Sequence, residues 1–377
     1  RIATRVARHR AGGSPSATDF RHALRDVARC CIHGVDRNPM AVELTKVALW
    51  IETVDPGLPL GFFDAQIRCG DALLGGFDLQ VLQDGIPDAA YKPLTGDDKE
   101  TAKYYLKANC DVKAGQGGFD FRTGQATMPT TKPLALDFSS FRDLLEDTVE
   151  QIGAKAKRFK ELRKGQTFVR AKAAADLYVA AFLLPKVGGA PAGASDRTVP
   201  TTEELWMALN QGKMRQAMVD APKTAQEARA FHWPLEFPDV MQRGGFDAVI
   251  GNPPWDILQQ QDGASSELAD RLKEVFKFEP YDALSGRRDL YKLFLCRLPD
   301  LLKPDGVSGL LVPVGYLVEE DCTGLRRRLW DHGTIEKIAH FQNAKHAFFS
   351  RVHASYRFSI IEYKKSKRRE HWFSYTI

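Results

Sequence analysis

The sequence predicts an α/β fold in which strands and helices alternate along a parallel sheet. Two observations support this prediction: a strand, a helix and a second strand follow one another over residues 31–69, and the same alternation returns at residue 246. A third observation is that residues 76–242 carry helical patterns separated by turn-rich stretches, which indicates a mostly helical insertion. We therefore expect one sheet, interrupted by the insertion and completed after it.

The elements before the insertion have local start and stop signals. Residues 31–36 (CIHGVD) form a short apolar run that ends on an acid, which predicts a strand. Asn38 can cap the helix that follows, because Pro39 at the first helical position has the φ angle that a helix needs. Residues 65–69 predict the next strand, so a parallel strand–helix–strand unit is expected here.

The remaining elements follow from periodicity and turn residues. Within the insertion, helical patterns cover residues 138–164, 167–184 and 201–231. After the insertion the sequence predicts, in order, a strand at 246–250, a helix at 289–302, a turn at 303–306, a strand at 308–312, a helix at 323–331 and strands at 335–341 and 356–363. The expected domains are the first part of the sheet domain (1–75), the insertion (76–242), the second part of the sheet domain (243–363) and the start of a C-terminal region (364–377).

Composition places the chain among globular proteins. Its 377 residues suffice for roughly two domains, and 44% are hydrophobic. The longest nearly apolar stretch, residues 309–318, is far shorter than the roughly 20 residues that span a bilayer, so the sequence excludes a membrane protein. The six cysteines form no CxxC pair, which predicts a reducing, cytoplasmic environment. The net charge of +5 permits an anionic partner without requiring one.

The segment most informative about chemistry is GNPPW, residues 251–255. A predicted strand runs into Pro253 and Pro254, which fix the backbone and remove two donors, so the carbonyl oxygens there are free to accept hydrogen bonds. Asn252 adds a side-chain acceptor for an exocyclic amino group, and Trp255 supplies a flat surface on which a base can stack. The alternative is a plain turn with a core tryptophan. The asparagine before the prolines and the aromatic after them favour an aminopurine site.

GNPPW resembles the catalytic motif of amino-group DNA methyltransferases, above all the N6-adenine-specific enzymes. Two further segments, HGVDRNPMAVEL (33–44) and RCGDALLG (68–75), are similar to the segments on the cofactor side of that family. The resemblance extends to the large methylases of fused type II restriction-modification enzymes and of BREX-type phage-exclusion systems, and it covers about residues 1–75 and 241–363. It implies a Rossmann-like, S-adenosylmethionine-dependent methyltransferase sheet that acts on double-stranded DNA.

The resemblance assigns cofactor-binding roles to Asp36, Asn38, Met40, Asp71 and Ala72. Asp36 ends a strand, where a carboxylate can accept hydrogen bonds from two ribose hydroxyls; an ordinary acid at a helix start is the alternative. Asp71 is similar in position to the family acid that accepts from the cofactor's adenine amino group. Met40 can pack on that adenine, although a buried core methionine is nearly as well supported. No metal ligands are predicted.

On the target side, transfer to an amine requires no covalent enzyme intermediate, and Asn252 with the Pro253 carbonyl fits the role of orienting the nitrogen. Carbon-5 cytosine methylation would need a thiol in a Pro-Cys pair, and no cysteine follows a proline in this chain. A base inside a duplex cannot reach such a pocket, so the target adenine is expected to be flipped. Trp255 would form one wall. The resemblance implies a second aromatic wall at Phe349, in preference to the phenylalanine before it, and core packing is the alternative.

The chain departs from the family pattern at one point. Family members carry a Gly-rich loop after the first strand, and no such loop precedes Asp36; Gly12 and Gly13 follow a predicted helix instead. We expect that the chain begins downstream of this loop, that the first strand of the sheet is missing, and that the chain alone binds S-adenosylmethionine weakly or not at all. Calorimetry that shows micromolar binding would contradict this expectation.

The function predicted from the sequence is site-specific adenine methylation of DNA in a restriction-modification or phage-defence setting, with other subunits of such systems as further partners. One alternative is an inactive or split fragment that acts as a DNA-binding or assembly module, which the missing loop favours for the chain alone. Another is an N4-cytosine, RNA or protein-glutamine methylase, since Asn-Pro-Pro-aromatic turns occur in those enzymes too. The large insertion resembles the DNA enzymes more than the compact glutamine methylases.

Overall fold

The computed structural model describes residues 1–76, 78–115, 132–210, 215–258, 266–277, 280–366 and 374–376. The chain divides into two compact units. The first unit comprises Arg1–Ile86, Val112–Ala180 and Gly193–Asp239, and the second comprises Pro87–Asp111, Ala181–Ala192 and Val240–Ile377. Of the predicted C-terminal region 364–377, residues 367–373 and 377 lie outside the described residues.

The described residues form helices and strands that alternate only in parts of the chain. The helices are α1 (Ile2–Ala11), α2 (Ala17–Cys31), α3 (Pro39–Glu52), α4 (Lys99–Lys113), α5 (Lys132–Arg142), α6 (Val149–Lys164), α7 (Gln166–Leu183), α8 (Thr202–Asn210), α9 (Gln216–Glu227), α10 (Trp233–Glu236), α11 (Pro238–Gln242), α12 (Ser266–Val275), α13 (Leu290–Leu301), α14 (Gly315–Val318) and α15 (Thr323–His332). The strands are β1 (Gly34–Asp36), β2 (Ile67–Cys69), β3 (Phe246–Gly251), β4 (Leu302–Pro313), β5 (Gly333–Gln342), β6 (Arg357–Lys365) and β7 (Ser374–Thr376). A search of the described residues finds no helix with the length and apolarity that a membrane span requires.

Helix α3 in the first unit begins where its sequence predicts. Asn38 is the N-cap, and its side-chain oxygen accepts a hydrogen bond from the Met40 N–H at 2.9 Å. Pro39 is the first helical residue, so its missing N–H leaves no donor unpaired. The buried face of the helix packs through Val42 against Phe63, which fixes α3 beside β2.

Strands β1 and β2 form a two-stranded parallel sheet of their own, with Gly34 opposite Ile67 and Asp36 opposite Cys69. Both strands are shorter than the sequence predicts. No described strand pairs either of them with the other sheet, so the described residues form two sheets, in contrast to the single interrupted sheet expected from the sequence. The difference lies in the hydrogen bonding between strands: β1 bonds to β2, whereas β3 bonds to β4.

The middle of the chain is helical, but the helix predicted over residues 138–164 is wrong as one element. It is divided into α5 and α6 because Thr148 starts a new helix. The Thr148 hydroxyl accepts from the Gln151 N–H at 3.3 Å, and the Gln151 side chain accepts from the Thr148 N–H at 3.3 Å. In the break, the buried Glu146 carboxylate pairs with the Lys155 ammonium at 2.7 Å.

The five-stranded sheet of the second unit is mixed and has the order β3-β4-β6-β5-β7. The pairs β3–β4 and β5–β7 are parallel, whereas β6 runs antiparallel to both β4 and β5. Opposite residues include Ile250 with Gly309, and Ile361 lies between Leu310 and Ile338. This register places the carboxyl ends of β3 and β4 at the same edge of the sheet.

Strand β4 is longer than predicted because the expected turn at residues 303–306 lies inside it as a bulge. The register shifts between the pairs Phe246–Leu302 and Ala248–Val307. Within the bulge, Asp305 has a φ of 62°, in the left-handed region. The turn residues identified in the sequence therefore bend the strand without ending it.

One face of the five-stranded sheet is covered by helices. Helix α13 packs against β4 and α15 packs against β5. The side chains below them, Leu310, Val312, Ile338 and Ile361, are buried. On the opposite face Ile250 is 86% exposed, so the core of the second unit lies on the α13 and α15 side of the sheet.

Candidate active site

The Asn-Pro-Pro-Trp segment, residues 252–255, follows β3 directly and begins at the carboxyl edge of the sheet. Polar groups that act on ligands in open α/β sheets lie at this edge. Asn252 is exposed, and its amide forms no hydrogen bond with any described residue, so both its acceptor and its donors are available. Pro253 is buried and Pro254 is exposed, which anchors the turn on one side.

Within the part of the chain that the structure describes, three aromatic rings contact Trp255. The indole is half-buried, and its Nε1 donates to the Leu311 carbonyl at 3.4 Å. Phe349 lies edge-on, with ring centroids 5.4 Å apart and planes at 79°, whereas Phe358 is tilted by 31° at 5.9 Å. Tyr356 is almost parallel to the indole, with centroids 5.6 Å apart and planes at 6°. The structure thus brings Trp255 and Phe349 together, but the parallel ring belongs to Tyr356.

Sequence reasoning missed Tyr356 as part of this aromatic group, because it treated the residue as the start of a strand. The available signal was the spacing of Tyr356 and Phe358, since residues two apart in an extended chain point to the same side. Burial raises the pKa of the Tyr356 phenol, and the charges of Asp289 and other groups act in addition. The hydroxyl therefore stays protonated well above neutral pH.

The chain after Trp255 is held by the residues that precede α13. The Leu258 N–H donates to the Arg288 carbonyl at 3.1 Å, and the Leu290 N–H donates to the Asp256 carbonyl at 2.9 Å. Lys292, on the first turn of α13, is fully buried. These contacts fix the path of the segment on its downstream side, as β3 fixes it on the upstream side.

Lys292 also faces three acidic residues, and the carboxylate of Asp289, the N-cap of α13, lies 3.3 Å from its ammonium. A carboxylate oxygen of Glu319, a carboxylate oxygen of Asp321 and the sulfur of Cys322 lie within 4.8 Å of one another. The Lys292 ammonium is bonded to Glu319 and lies 3.6 Å from Asp321. Burial by itself would lower the pKa of Lys292, but the hydrogen bond to Glu319 and nearby negative charges raise it above its usual range. The lysine therefore carries the positive charge that balances these carboxylates.

In the first unit, the predicted ribose ligand Asp36 is the last residue of β1 and is exposed. One of its carboxylate oxygens accepts from the Asn38 N–H at 2.7 Å, and the other forms no hydrogen bond within the described part of the chain. The Asp36 carbonyl accepts from the Gly70 N–H at 3.0 Å, just after β2. Because β1 and β2 are parallel, Asp36 and the segment leading to Asp71 share one edge of this sheet.

The other predicted cofactor residues differ in their availability. Met40 is 64% exposed, so its side chain can cover an apolar ligand surface. Asp71 is buried; its carboxylate accepts from the Leu73 N–H at 3.0 Å and lies 3.4 Å from Nε of Arg37. Ala72 is half-buried and its carbonyl accepts a hydrogen bond from a tryptophan indole. Asp36 and Met40 are therefore open to a ligand, whereas Asp71 is already engaged.

Solved structures with some similarity to the chain include restriction-modification proteins. A complex of DrdV with DNA has 15% sequence identity and a TM-score of 0.28, and the likeness covers 46% of this chain and 20% of that one. The methyltransferase subunit of a type I restriction-modification system from Streptococcus thermophilus has 12% identity and a TM-score of 0.27, covering 99% of this chain and 79% of that one.

A curated protein of Methanocaldococcus jannaschii is 25% identical over 129 residues, and its name describes a type II restriction enzyme and methyltransferase. The matched part is 34% of this chain but only 10% of that protein, so the match spans about a tenth of the relative's length.

A family profile matches most of the chain. The profile of the Eco57I restriction-modification methylase matches residues 30–348, a range that contains the segments at 33–44, 68–75 and 251–255 as well as the predicted insertion. This confirms the sequence-based expectation at the level of a restriction-modification methylase. The chain belongs to the Eco57I restriction-modification methylase family.

Proposed function

We propose that this chain is the methyltransferase region of a site-specific DNA methylase that transfers a methyl group from S-adenosylmethionine to the N6 amino group of adenine. The observation that carries the proposal is the exposed Asn252 amide, which is free of hydrogen bonds to described residues, beside Pro253 and the aromatic group around Trp255. Acceptors and a stacking surface in one place match what a planar amine requires.

The proposed chemistry uses the two acceptors that the turn provides. The Asn252 side-chain oxygen and the Pro253 carbonyl accept hydrogen bonds from the amino group, which orients its nitrogen for in-line attack. The sulfonium cofactor supplies a methyl group that is already activated, so the protein needs no nucleophile of its own. Pro253 and Pro254 keep the acceptors in place because their φ angles are fixed.

The target adenine is proposed to leave the duplex and to bind against the aromatic residues of the second unit. Trp255 is half-buried and gives a flat indole for stacking. Phe349, 5.4 Å away and edge-on, is assigned to a second side of the base site. The contact between these two rings supports the pairing inferred from the sequence.

Cofactor binding is assigned to the first unit, on Asp36, Asn38, Met40, Asp71 and Ala72. The residues fit the ribose and the adenine of S-adenosylmethionine: Asp36 has one carboxylate oxygen without a described partner, and Met40 exposes an apolar side chain on the next turn. Asp71 would have to share its carboxylate between Arg37 and the cofactor's amino group. We therefore assign Asp36 the larger part in affinity.

The setting proposed for this activity is restriction-modification or phage defence in the cytoplasm, with double-stranded DNA and other subunits of such systems as partners. Membership of the Eco57I restriction-modification methylase family supports the restriction-modification setting. The adenine preference rests on the Asn-Pro-Pro-Trp segment and its resemblance to adenine-specific enzymes.

The proposal is tested with the substitution Asn252→Ala in the full-length gene product that contains this chain. Loss of the side-chain acceptor should lower methyl transfer to unmethylated DNA by at least about 100-fold, since one hydrogen-bonding group in a site of this kind is worth that much. The measurement is the incorporation of tritiated methyl groups from S-adenosylmethionine into DNA.

Asn210→Ala is the matched control, because Asn210 is also exposed but lies in α8 of the first unit. Its transfer rate should stay within about twofold of the unmodified protein. If Asn252→Ala retains the full rate, the assigned amine site is wrong.

A further inference from the structure

The connection between β5 and β6, residues 343–356, decides where two of the rings around Trp255 lie. It carries Phe349 and Tyr356, which are 5.4 Å and 5.6 Å from the indole between ring centroids. A loop lacks the repeated hydrogen bonds of a strand, so a small number of fixed points must set its path. Those fixed points determine the geometry of the aromatic group.

Asn343 is the main fixed point of this connection, and its side chain is fully buried. The side-chain oxygen accepts from the N–H groups of Phe348 at 3.1 Å and Phe349 at 3.0 Å. The side-chain nitrogen donates to the carbonyls of Phe349 and Val352, each at 2.8 Å. One side chain therefore holds both the N–H and the carbonyl of Phe349.

These four hydrogen bonds use the full capacity of the amide, which has one oxygen with two lone pairs and one nitrogen with two donors. They also define its orientation. A rotation of the amide by 180° would set its oxygen against two carbonyls and its nitrogen against two N–H groups. The site thus requires an asparagine amide in this one orientation.

The backbone of Asn343 holds the other end of the loop. Its N–H donates to the Tyr356 carbonyl at 2.9 Å, and its carbonyl accepts from the His346 N–H at 2.9 Å. Tyr356 and Phe349, the two rings of this loop that contact Trp255, are thereby both attached to Asn343. A displacement of Asn343 would move both rings.

The path of the loop is imposed on the chain and is not its intrinsic preference. Lys345 and His346 lie two and three residues after Asn343, and their φ angles are 54° and 56°. Residues other than glycine rarely adopt this left-handed conformation, and such strain persists only when surrounding contacts hold it, often at functional sites. The hydrogen bonds of Asn343, including the one that its carbonyl accepts from the His346 N–H, hold this conformation together with a bond between His346 Nδ1 and the Val352 carbonyl at 3.0 Å.

We propose that Asn343 is a positioning residue for the target base: its buried amide fixes Phe349 and Tyr356 against Trp255 so that the base meets a preformed aromatic site. This inference rests on the function proposed above. Asn343 is completely buried and acts through the loop that it holds, so it does not touch the base itself.

The test uses Asn343→Asp in the full-length gene product. The carboxylate is isosteric and keeps an acceptor for the two N–H groups, but it loses both donors and places an oxygen beside the Phe349 and Val352 carbonyls. The single-turnover rate of methyl transfer to unmethylated DNA should fall at least about tenfold, because small misplacements of reacting groups are costly. The dissociation constant for the same DNA should change less than about threefold, because backbone contacts dominate affinity.

Asn109→Asp is the matched control for a loss of stability. Asn109 is also fully buried in the second unit, on α4, and its amide donates to Asp88 at 3.3 Å. Its transfer rate should stay within about twofold at a temperature at which thermal unfolding shows both variants folded. The inference would be overturned if Asn109→Asp lost as much rate as Asn343→Asp, or if Asn343→Asp kept the unmodified rate.

A second measurement needs neither DNA nor cofactor. Trp255→Phe changes the near-ultraviolet circular dichroism spectrum, and the size of this change reports the fixed rings around the indole. The change should be smaller by at least about half when Trp255→Phe is introduced into the Asn343→Asp variant than when it is introduced into the unmodified protein. If it stays the same, Asn343 does not set the aromatic geometry. Failure of the unmodified protein to methylate DNA would instead count against the proposed function, while this spectrum would still decide the role of Asn343.

Discussion

Tyr356 and Phe349 contact the same indole, but their geometry gives them different roles. A ring parallel to Trp255, as Tyr356 is, extends or covers a stacking face, whereas an edge-on ring such as Phe349 closes a side of the site. Burial keeps the Tyr356 phenol protonated by raising its pKa. The ring, and not the ionisation of the hydroxyl, is therefore the part of Tyr356 that we expect to matter.

The prediction for Tyr356 separates the ring from the hydroxyl. Tyr356→Phe should keep the rate of methyl transfer within about threefold, because the ring contact with Trp255 is preserved. Tyr356→Ala should lower the rate at least about tenfold, since stacking on an aromatic side chain is worth about 1–3 kcal/mol per base. Steady-state methylation of unmethylated DNA provides the measurement.

Tyr104→Ala serves as the control, because Tyr104 is a half-buried tyrosine of α4 in the same unit that packs on Tyr105 and not on Trp255. It should keep the transfer rate of the unmodified protein. Equal losses in Tyr356→Phe and Tyr356→Ala would show that the hydroxyl, and not the ring, is required.

At the scale of elements, Glu236 joins three parts of the first unit. On α10, its carboxylate accepts from Arg68 of β2 at 2.9 Å and from Arg163 of α6 at 2.7 Å and 3.0 Å. Burial alone would raise the pKa of Glu236, but the charges and hydrogen bonds of the two arginines lower it to about 2. The carboxylate thus links a strand and two helices that the sequence separates widely.

This pairing makes the stability of the first unit depend on acid pH. Because the folded pKa of Glu236 is about 2, below its ordinary value of 4.5, its contribution is complete above about pH 4.5 and is lost as the pH falls toward 2. Glu236→Gln should lower the free energy of unfolding by about 3 kcal/mol at pH 6, and by less as the pH falls below 4.5. Urea unfolding at pH 6 and near pH 3 measures both values.

The control is Glu161→Gln on α6, since Glu161 is half exposed and lies 3.8 Å from Arg158 in a surface pair. It should change the free energy of unfolding by less than about 1 kcal/mol at either pH. A difference between Glu236→Gln and the unmodified protein that is the same at both pH values would show that the carboxylate is not the titrating group.

Elements with strong local signals were predictable from the sequence. The cap at Asn38 and Pro39 places the start of α3, and the apolar run at 246–250 gives β3 to within one residue. Local signals failed where two of them compete. Thr148 and Gln151 form a capping box inside a helical pattern, and Asp305 in a Pro-Asp-Gly turn bends β4 without ending it.

At the scale of the whole molecule, the limit of sequence reasoning is long-range pairing. The pattern predicts strands at 31–36 and 246–250, but it contains no information on which strands hydrogen-bond, and the described residues form two sheets instead of one. The aromatic site shows the same limit. The Asn-Pro-Pro-Trp segment was recognisable from its residues, whereas the parallel contact of Tyr356 depends on residues about a hundred positions away.

The family match covers both the residues proposed for the cofactor and the Asn-Pro-Pro-Trp segment. It runs over residues 30–348 and so includes elements of both units. Asp36 in the first unit and Asn252 in the second therefore belong to one family sequence. We propose that Asp36 binds the methyl donor and that Asn252 binds the target amine.

We propose that the Asn252 site selects an adenine amino group in DNA. The most direct measurement is mass spectrometry of the nucleosides released from unmethylated genomic DNA after incubation with the full-length gene product and S-adenosylmethionine. We expect N6-methyl-2′-deoxyadenosine as the product, and we expect it to be absent when the Asn252→Ala variant is used. N4-methyl-2′-deoxycytidine as the sole product, or no methylated nucleoside from the unmodified protein, would contradict it.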